Sequence, residues 1–182
     1  MKDVRIPQNK AQLIQIAYYH FINNQYKESA KVFEKYAEIL DADDVYTWGD
    51  CYWKMGKFKE AINDYLTKAA ASGNEDASYQ LGIYYAELKK DNDKAILFMH
   101  KVTQNHKSYN DAQLILGLCS SFDNILKITY LTKAANFGKG EATYQLGEYF
   151  KLQNDLKLAN EWYRNACVLK YKKACIVLKN DF

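Results

Sequence analysis

Part of this chain is written twice. Tyr65-Leu-Thr-Lys-Ala-Ala-Ala-Ser-Gly73 runs into Asn74-Glu-Asp-Ala77-Ser-Tyr-Gln-Leu-Gly82-Ile-Tyr-Tyr85, and Tyr130-Leu-Thr-Lys-Ala-Ala-Asn-Phe-Gly138 runs into Lys139-Gly-Glu-Ala142-Thr-Tyr-Gln-Leu-Gly147-Glu-Tyr-Phe150. The offset is 65 residues throughout. A chain assembled from copies of a unit must fold by stacking equivalent pieces. Within the copy, Ala77, Leu81 and Tyr85 stand at i, i+4 and i+8, on one face of a helix. A loop and a second amphipathic stretch ending near Lys101 follow, so the unit is a helical hairpin.

Five such units divide the chain: about 8–40, 43–73, 74–107, 108–138 and 139–170, with a short capping helix over 171–182. The first carries Leu13, Ala17 and Phe21, then Tyr26, Ala30, Phe33 and Ala37. The fourth keeps Leu116 and Gly117 but has a shortened loop, Ser121-Phe-Asp-Asn124. Small residues recur at Ala17, Gly49, Gly82, Gly117 and Gly147, spaced by 32, 33, 35 and 30 residues. Glycine costs about 1 kcal/mol in a helix interior, so a close helix contact is the expected compensation, with Ala95 as the small residue facing Gly82. Helices of about 13 residues are roughly 20 Å long and pack about 8–10 Å apart. The predicted fold is all-α, a right-handed α-α superhelix of about five hairpins forming a single domain. Asp43, Asp44, Asp76, Asp111 and Glu141 open the first helices, where they suit capping and the helix dipole.

Composition bounds the rest. The only proline is Pro7, ahead of the first helical pattern. The amino terminus lacks the apolar core of a signal peptide, and no run approaches the roughly 18 apolar residues of a membrane span, so a cytosolic chain without membrane contact is expected. The net charge is +3, and the basic residues are lysines apart from Arg5 and Arg164. Nucleic-acid recognition favours the arginine fork, so nucleic acid is the weaker partner class.

The run Ala77-x3-Leu-Gly82-x2-Tyr85, with Lys94-Ala95-x2-Phe98 and the Lys-Ala-Ala-x2-Gly turns at Lys68 and Lys133, resembles Sel-one-like repeats. Gly49-x2-Tyr52-x3-Gly56-x-Phe58-x2-Ala61-x3-Tyr65 resembles the related tetratricopeptide repeat. The resemblance implies a protein-binding scaffold. The spacing of Cys167 and Cys175 is similar to that of the cysteine-rich secreted branch of the family, where it carries a disulfide. With no secretion signal, reduced buried thiols are the preferred reading and the disulfide is the alternative.

No constellation for catalysis stands out. His20, His100 and His106 share no metal-ligand spacing, and there is no glycine-rich phosphate loop. A non-enzyme with no cofactor and no metal is expected. The lysines of Lys170-Tyr-Lys-Lys173 are read as a helix's last turn, where they favour the dipole, with contact to an acidic partner or phosphate as the alternative.

In a hairpin solenoid the first helices line the concave face. Counted from the repeated glycine, that column holds Tyr46, Tyr79, Leu114 and Tyr144, then Gln80 and Gln145, then Asp50, Ile83, Leu118 and Glu148, with Trp53 and Glu87 further along. Aromatic anchors of this kind dominate protein interfaces, so these residues form the expected partner-binding surface. Asp50, Glu87 and Glu148 tilt it acidic, toward a protein with a basic face. The expected function is stoichiometric binding, as an immunity-type inhibitor occluding a toxin. A cytosolic adaptor or chaperone is the alternative, and an RNA- or DNA-binding repeat the rival of another class.

Overall fold

The computed structural model describes residues 10–120 and 123–180. Among these the regular structure is helical throughout, without a strand. In chain order the helices are α1 (Lys10–Ile22), α2 (Tyr26–Lys35), α3 (Ala42–Lys54), α4 (58–71), α5 (75–89), α6 (Asn92–Met99), α7 (Tyr109–Cys119), α8 (Asn124–Asn136), α9 (Gly140–Leu152), α10 (Leu156–Val168) and α11 (Lys172–Asn180). Helices α4 and α5 widen to π geometry over Ala61–Leu66 and Tyr84–Lys89. Ser121 of the shortened fourth loop, and the chain before Lys10 and after Asn180, lie outside the described residues. No described helix is long and apolar enough to cross a membrane.

The all-α hairpin architecture is the one the repeats require. Two compact units divide the chain, Met1–Leu81 and Gly82–Phe182. In the first, α1 pairs with α2 and α3 with α4; in the second, α6 packs on the end of α5, α7 on α8, α9 on α10, and α11 closes on α10. The first unit's core gathers Ala17, Ala30, Phe33 and Cys51, flanked by Tyr18, Phe21, Trp48 and Tyr52. The second contains a cluster of Leu131, Ala134, Ala142 and Leu146, against which Leu114 and Trp162 pack.

The glycine column does mark close approach, but the facing residue differs from the expected one. A Cβ on Gly82 would lie 2.5 Å from Cε of Met99, not against Ala95. The same holds elsewhere: Leu131 fills the place at Gly117, Tyr163 at Gly147, and Tyr65 with Leu66 at Gly49. Each glycine is a socket for a large side chain of the second helix. That explains why a bulky apolar residue, and not only a small one, recurs opposite it.

The expected acids do open the first helices: Asp43 and Asp44 in α3, Asp76 in α5, Asp111 in α7, Glu141 in α9. Asp41 and Asp44 form a reciprocal capping box ahead of α3. The second helices are capped as well. Asp91 accepts from the Lys94 N–H, Asp123 from the Leu126 N–H and Asp155 from the Leu158 N–H.

First helices end in a left-handed residue at Asn24, Gly56, Lys90 and Asn154. Lysine is the misfit in that set, because at φ 55° it has neither glycine's missing Cβ nor asparagine's short polar side chain that bonds locally. Lys90→Gly is therefore expected to stabilise the fold by about 1 kcal/mol, read as a raised midpoint in urea with an unchanged slope. A lower midpoint would show that the lysine side chain holds the turn in some other way.

Candidate functional site

In the first unit a polar seam joins α1, α3 and the start of α5. The Tyr18 hydroxyl donates to Asp44 Oδ1 at 3.1 Å, and Thr47 Oγ1 donates to the Asp43 carbonyl at 2.9 Å. Asn74 Nδ2 donates to Asp43 Oδ1 at 2.7 Å, while Asn74 Oδ1 accepts the Ala77 N–H. Farther along α3, Gln80 Nε2 reaches Asp50 Oδ1 at 3.5 Å, the outer limit of a hydrogen bond. The Gln80 Oε1 is buried without a partner.

These bonds place carboxylates where water is scarce. Asp50 is 9% exposed, and burial raises its pKa above the ordinary carboxylate value against the opposing pull of Lys54 and the Gln80 bond. Burial also raises Tyr46, with Asp50 and Asp76 adding to the shift. Tyr18 is pushed up to about 12, first by burial and further by Asp44. Both hydroxyls stay protonated at neutral pH.

Of the sequence-predicted residues, the structure brings Tyr46, Asp50 and Gln80 together here, with Tyr79 half-buried on the same helix as Gln80. Trp53 meets Phe58 edge-on with centroids 4.8 Å apart, inside its own hairpin. In the second unit Glu87 is exposed, Ile83 and Gln145 are half-buried, and Leu118 is 39% exposed. Leu114 packs against the Leu131–Leu146 cluster. Tyr144 lies between Tyr163 and Tyr171, at 5.6 and 5.3 Å, and Glu148 accepts the Tyr163 hydroxyl at 2.6 Å. Those two side chains are engaged within the unit.

Sequence reasoning passed over Tyr18, Asp44 and Asn74 as members of the seam. Tyr18 was within reach of the glycine column: it stands one place after Ala17, in the row that gives Asp50, Ile83, Leu118 and Glu148. Asn74 had no such signal, since its amide bridges a turn to the preceding repeat.

The terminal cysteines depart from the preferred reading. Cys167 and Cys175 are joined as a disulfide, with Cα atoms 4.9 Å apart, whereas Cys51 and Cys119 are free and buried. The lysine run departs too. Lys172 and Lys173 lie in the first turn of α11, not a last turn, and Lys170 sits in the left-handed connection before it. At that end of a helix a positive charge opposes the dipole.

No family model matches this chain, and no curated protein matches it. Solved structures do. A tetratricopeptide repeat protein, YrrB, described as having an unusual peptide-binding site, superposes with a TM-score of 0.72 at 20% identity, over 92% of this chain and 90% of its own. The crystal structure of MamA gives 0.68 at 20% identity, over 87% and 96%. A Sel1 repeat protein from Oxalobacter formigenes gives 0.62 at 22% identity, over 88% and 71%. The fold of this chain is thus a tetratricopeptide- and Sel1-like helical repeat.

Proposed function

We propose that the chain is a non-catalytic protein-binding scaffold whose acidic seam in the first unit takes a basic segment of a partner protein. The carrying observation is Asp50: a carboxylate 9% exposed whose hydrogen bond to Gln80 is 3.5 Å long. A buried anion so weakly satisfied gains from an incoming lysine or arginine, and the unpartnered Gln80 Oε1 offers a second acceptor beside it. Tyr46, near enough to Asp50 and Asp76 to feel their charge, supplies an amphipathic ring beside the seam. The similarity to a repeat protein with a peptide-binding site supports this class of partner. The specific form proposed is an immunity-type inhibitor, in which the acidic face covers a basic toxic enzyme.

The test is Asp50→Asn against a lysine- and arginine-rich peptide, with binding followed at rising salt. The raised pKa means that the folded state holds the Asp50 proton more tightly than the unfolded chain does. Its favourable contribution is present below the ordinary carboxylate pKa and is lost as pH rises through the folded value, so ionised Asp50 costs stability at neutral pH. The variant should therefore melt higher than wild type at pH 7, with the gap closing as pH falls, while binding the basic peptide more weakly. Salt-independent affinity, or equal affinity of variant and wild type, would overturn the reading. Inhibition of a basic enzyme at one-to-one stoichiometry separates the immunity role from that of a chaperone.

A further inference from the structure

A surface of the opposite sign lies at the end of the second unit. Between Trp162 and Asn180 the sequence holds Arg164, Lys170, Lys172, Lys173 and Lys179 and no acid, which exceeds the net +3 of the whole chain. Lys172 and Lys173 are exposed in the first turn of α11, without a carboxylate there to offset the dipole. Acids occupy the corresponding turns of α3, α5, α7 and α9, whereas α1 and α11 have none.

Apolar side chains stand among these charges. Val168 is 80% exposed, Phe137 59%, Ile176 57% and Leu169 42%. The turns that carry Phe137 and Leu169 abut, since a Cβ on Gly140 would lie 3.3 Å from Leu169 Cβ and 3.1 Å from Tyr171 Cβ. On α11, Ile176 is flanked by Lys172 and Lys173 one turn before and Lys179 one turn after, so one helix face reads basic, apolar, basic. The Cys167–Cys175 disulfide fastens that helix to α10 and holds the face in place.

We infer that this face docks an acidic helix of another protein, with a leucine-like residue on Ile176 and carboxylates on the lysines. Charge complementarity selects an acidic partner, and the i, i+3, i+4 spacing around Ile176 suits the ridges of a second helix. Nucleic acid fits less well, because the apolar groups are mostly aliphatic and do not stack on bases.

The experiment uses the full chain and a fluorescent helical peptide of leucine and glutamate in heptad spacing, beside a control in which lysine replaces glutamate. The glutamate peptide should bind, and Lys172→Glu with Lys173→Glu should weaken it by about tenfold or more. The melting temperature of that variant should rise, because acids now face the positive end of α11. Weaker binding together with higher stability is a pair that a purely solvating role for the lysines does not produce. Equal binding by the variant, or equal binding of the control peptide, overturns the inference. So does binding to phosphatidylserine vesicles without binding to the peptide, which would assign the face to a lipid surface.

Discussion

Gly117→Ala is expected to destabilise the chain even though alanine is the better helix former. The added methyl would lie 2.7 Å from both Cδ2 and Cγ of Leu131 and 3.2 Å from its backbone nitrogen. Overpacking of this kind costs about 1–3 kcal/mol, and helix propensity returns about 1 kcal/mol, so a net loss of up to about 2 kcal/mol should appear in urea unfolding. Leu131→Ala, at a fully buried position, should cost about 2–5 kcal/mol through the cavity it leaves. Combined, the two changes should not add. With the leucine branch gone, the Gly117→Ala methyl has room, and its effect in the Leu131→Ala background should be neutral or favourable, a coupling of about 1–2 kcal/mol. Gly82→Ala is the internal contrast. Its clash is with Met99, at 2.5 Å from Cε, 2.9 Å from Cγ and 3.0 Å from Sδ, but that side chain is unbranched and flexible and no backbone atom is among the nearest. Additive losses at Gly117 and Leu131, or a loss at Gly82 as large as at Gly117, would mean that the sockets do not set the hairpin spacing.

That contrast also marks what the sequence can carry. The copy at Tyr65–Tyr85 and Tyr130–Phe150 fixes a repeated hairpin because periodicity survives translation into any stack of helices. A glycine column likewise announces close approach. It cannot name the partner, since whether Ala95 or Met99 faces Gly82 depends on about one turn of relative helix translation, which no local pattern encodes. The misplacement of Lys172 and Lys173 has a different root. The repeat count already put a boundary between 170 and 171, where Lys170 takes the left-handed conformation normally left to glycine or asparagine. The two lysines fall after that boundary, in the first turn of the capping helix and not in the last turn before it.

The proposed binding column was legible as a face and only partly as a set of free side chains. Position relative to the glycine says on which side of the helix Tyr46, Tyr79 and Tyr144 lie. Whether a ring is spent on a neighbour depends on what the next helix offers. Tyr144 finds Tyr163 and Tyr171, and Glu148 finds the Tyr163 hydroxyl. Asp50 finds a long bond from Gln80 and the charge of Lys54 on its own helix. Equivalent positions in a repeat thus diverge through their partners, and the difference between a packing residue and a binding residue is written in the adjacent helix.

Reduction of the Cys167–Cys175 bond is expected to lower stability by about 2–3 kcal/mol, the loop-closure entropy for a separation of 8 residues. The loss should concentrate in α11, because that helix packs on α10 and the bond closes the turn between them. Hydrogen exchange over 172–180 should quicken in reductant while the Leu131–Leu146 cluster keeps its protection. Alkylation gives the matching count. Denatured without reductant, the chain should take up iodoacetamide at Cys51 and Cys119 alone, and at all four cysteines after reduction. In the native state both free thiols should resist, being 0% and 6% exposed, with burial holding Cys51 up at about 11. Four modified cysteines without reductant would overturn the bond and restore the reduced pair. Two would establish the bond that fastens α11 to α10.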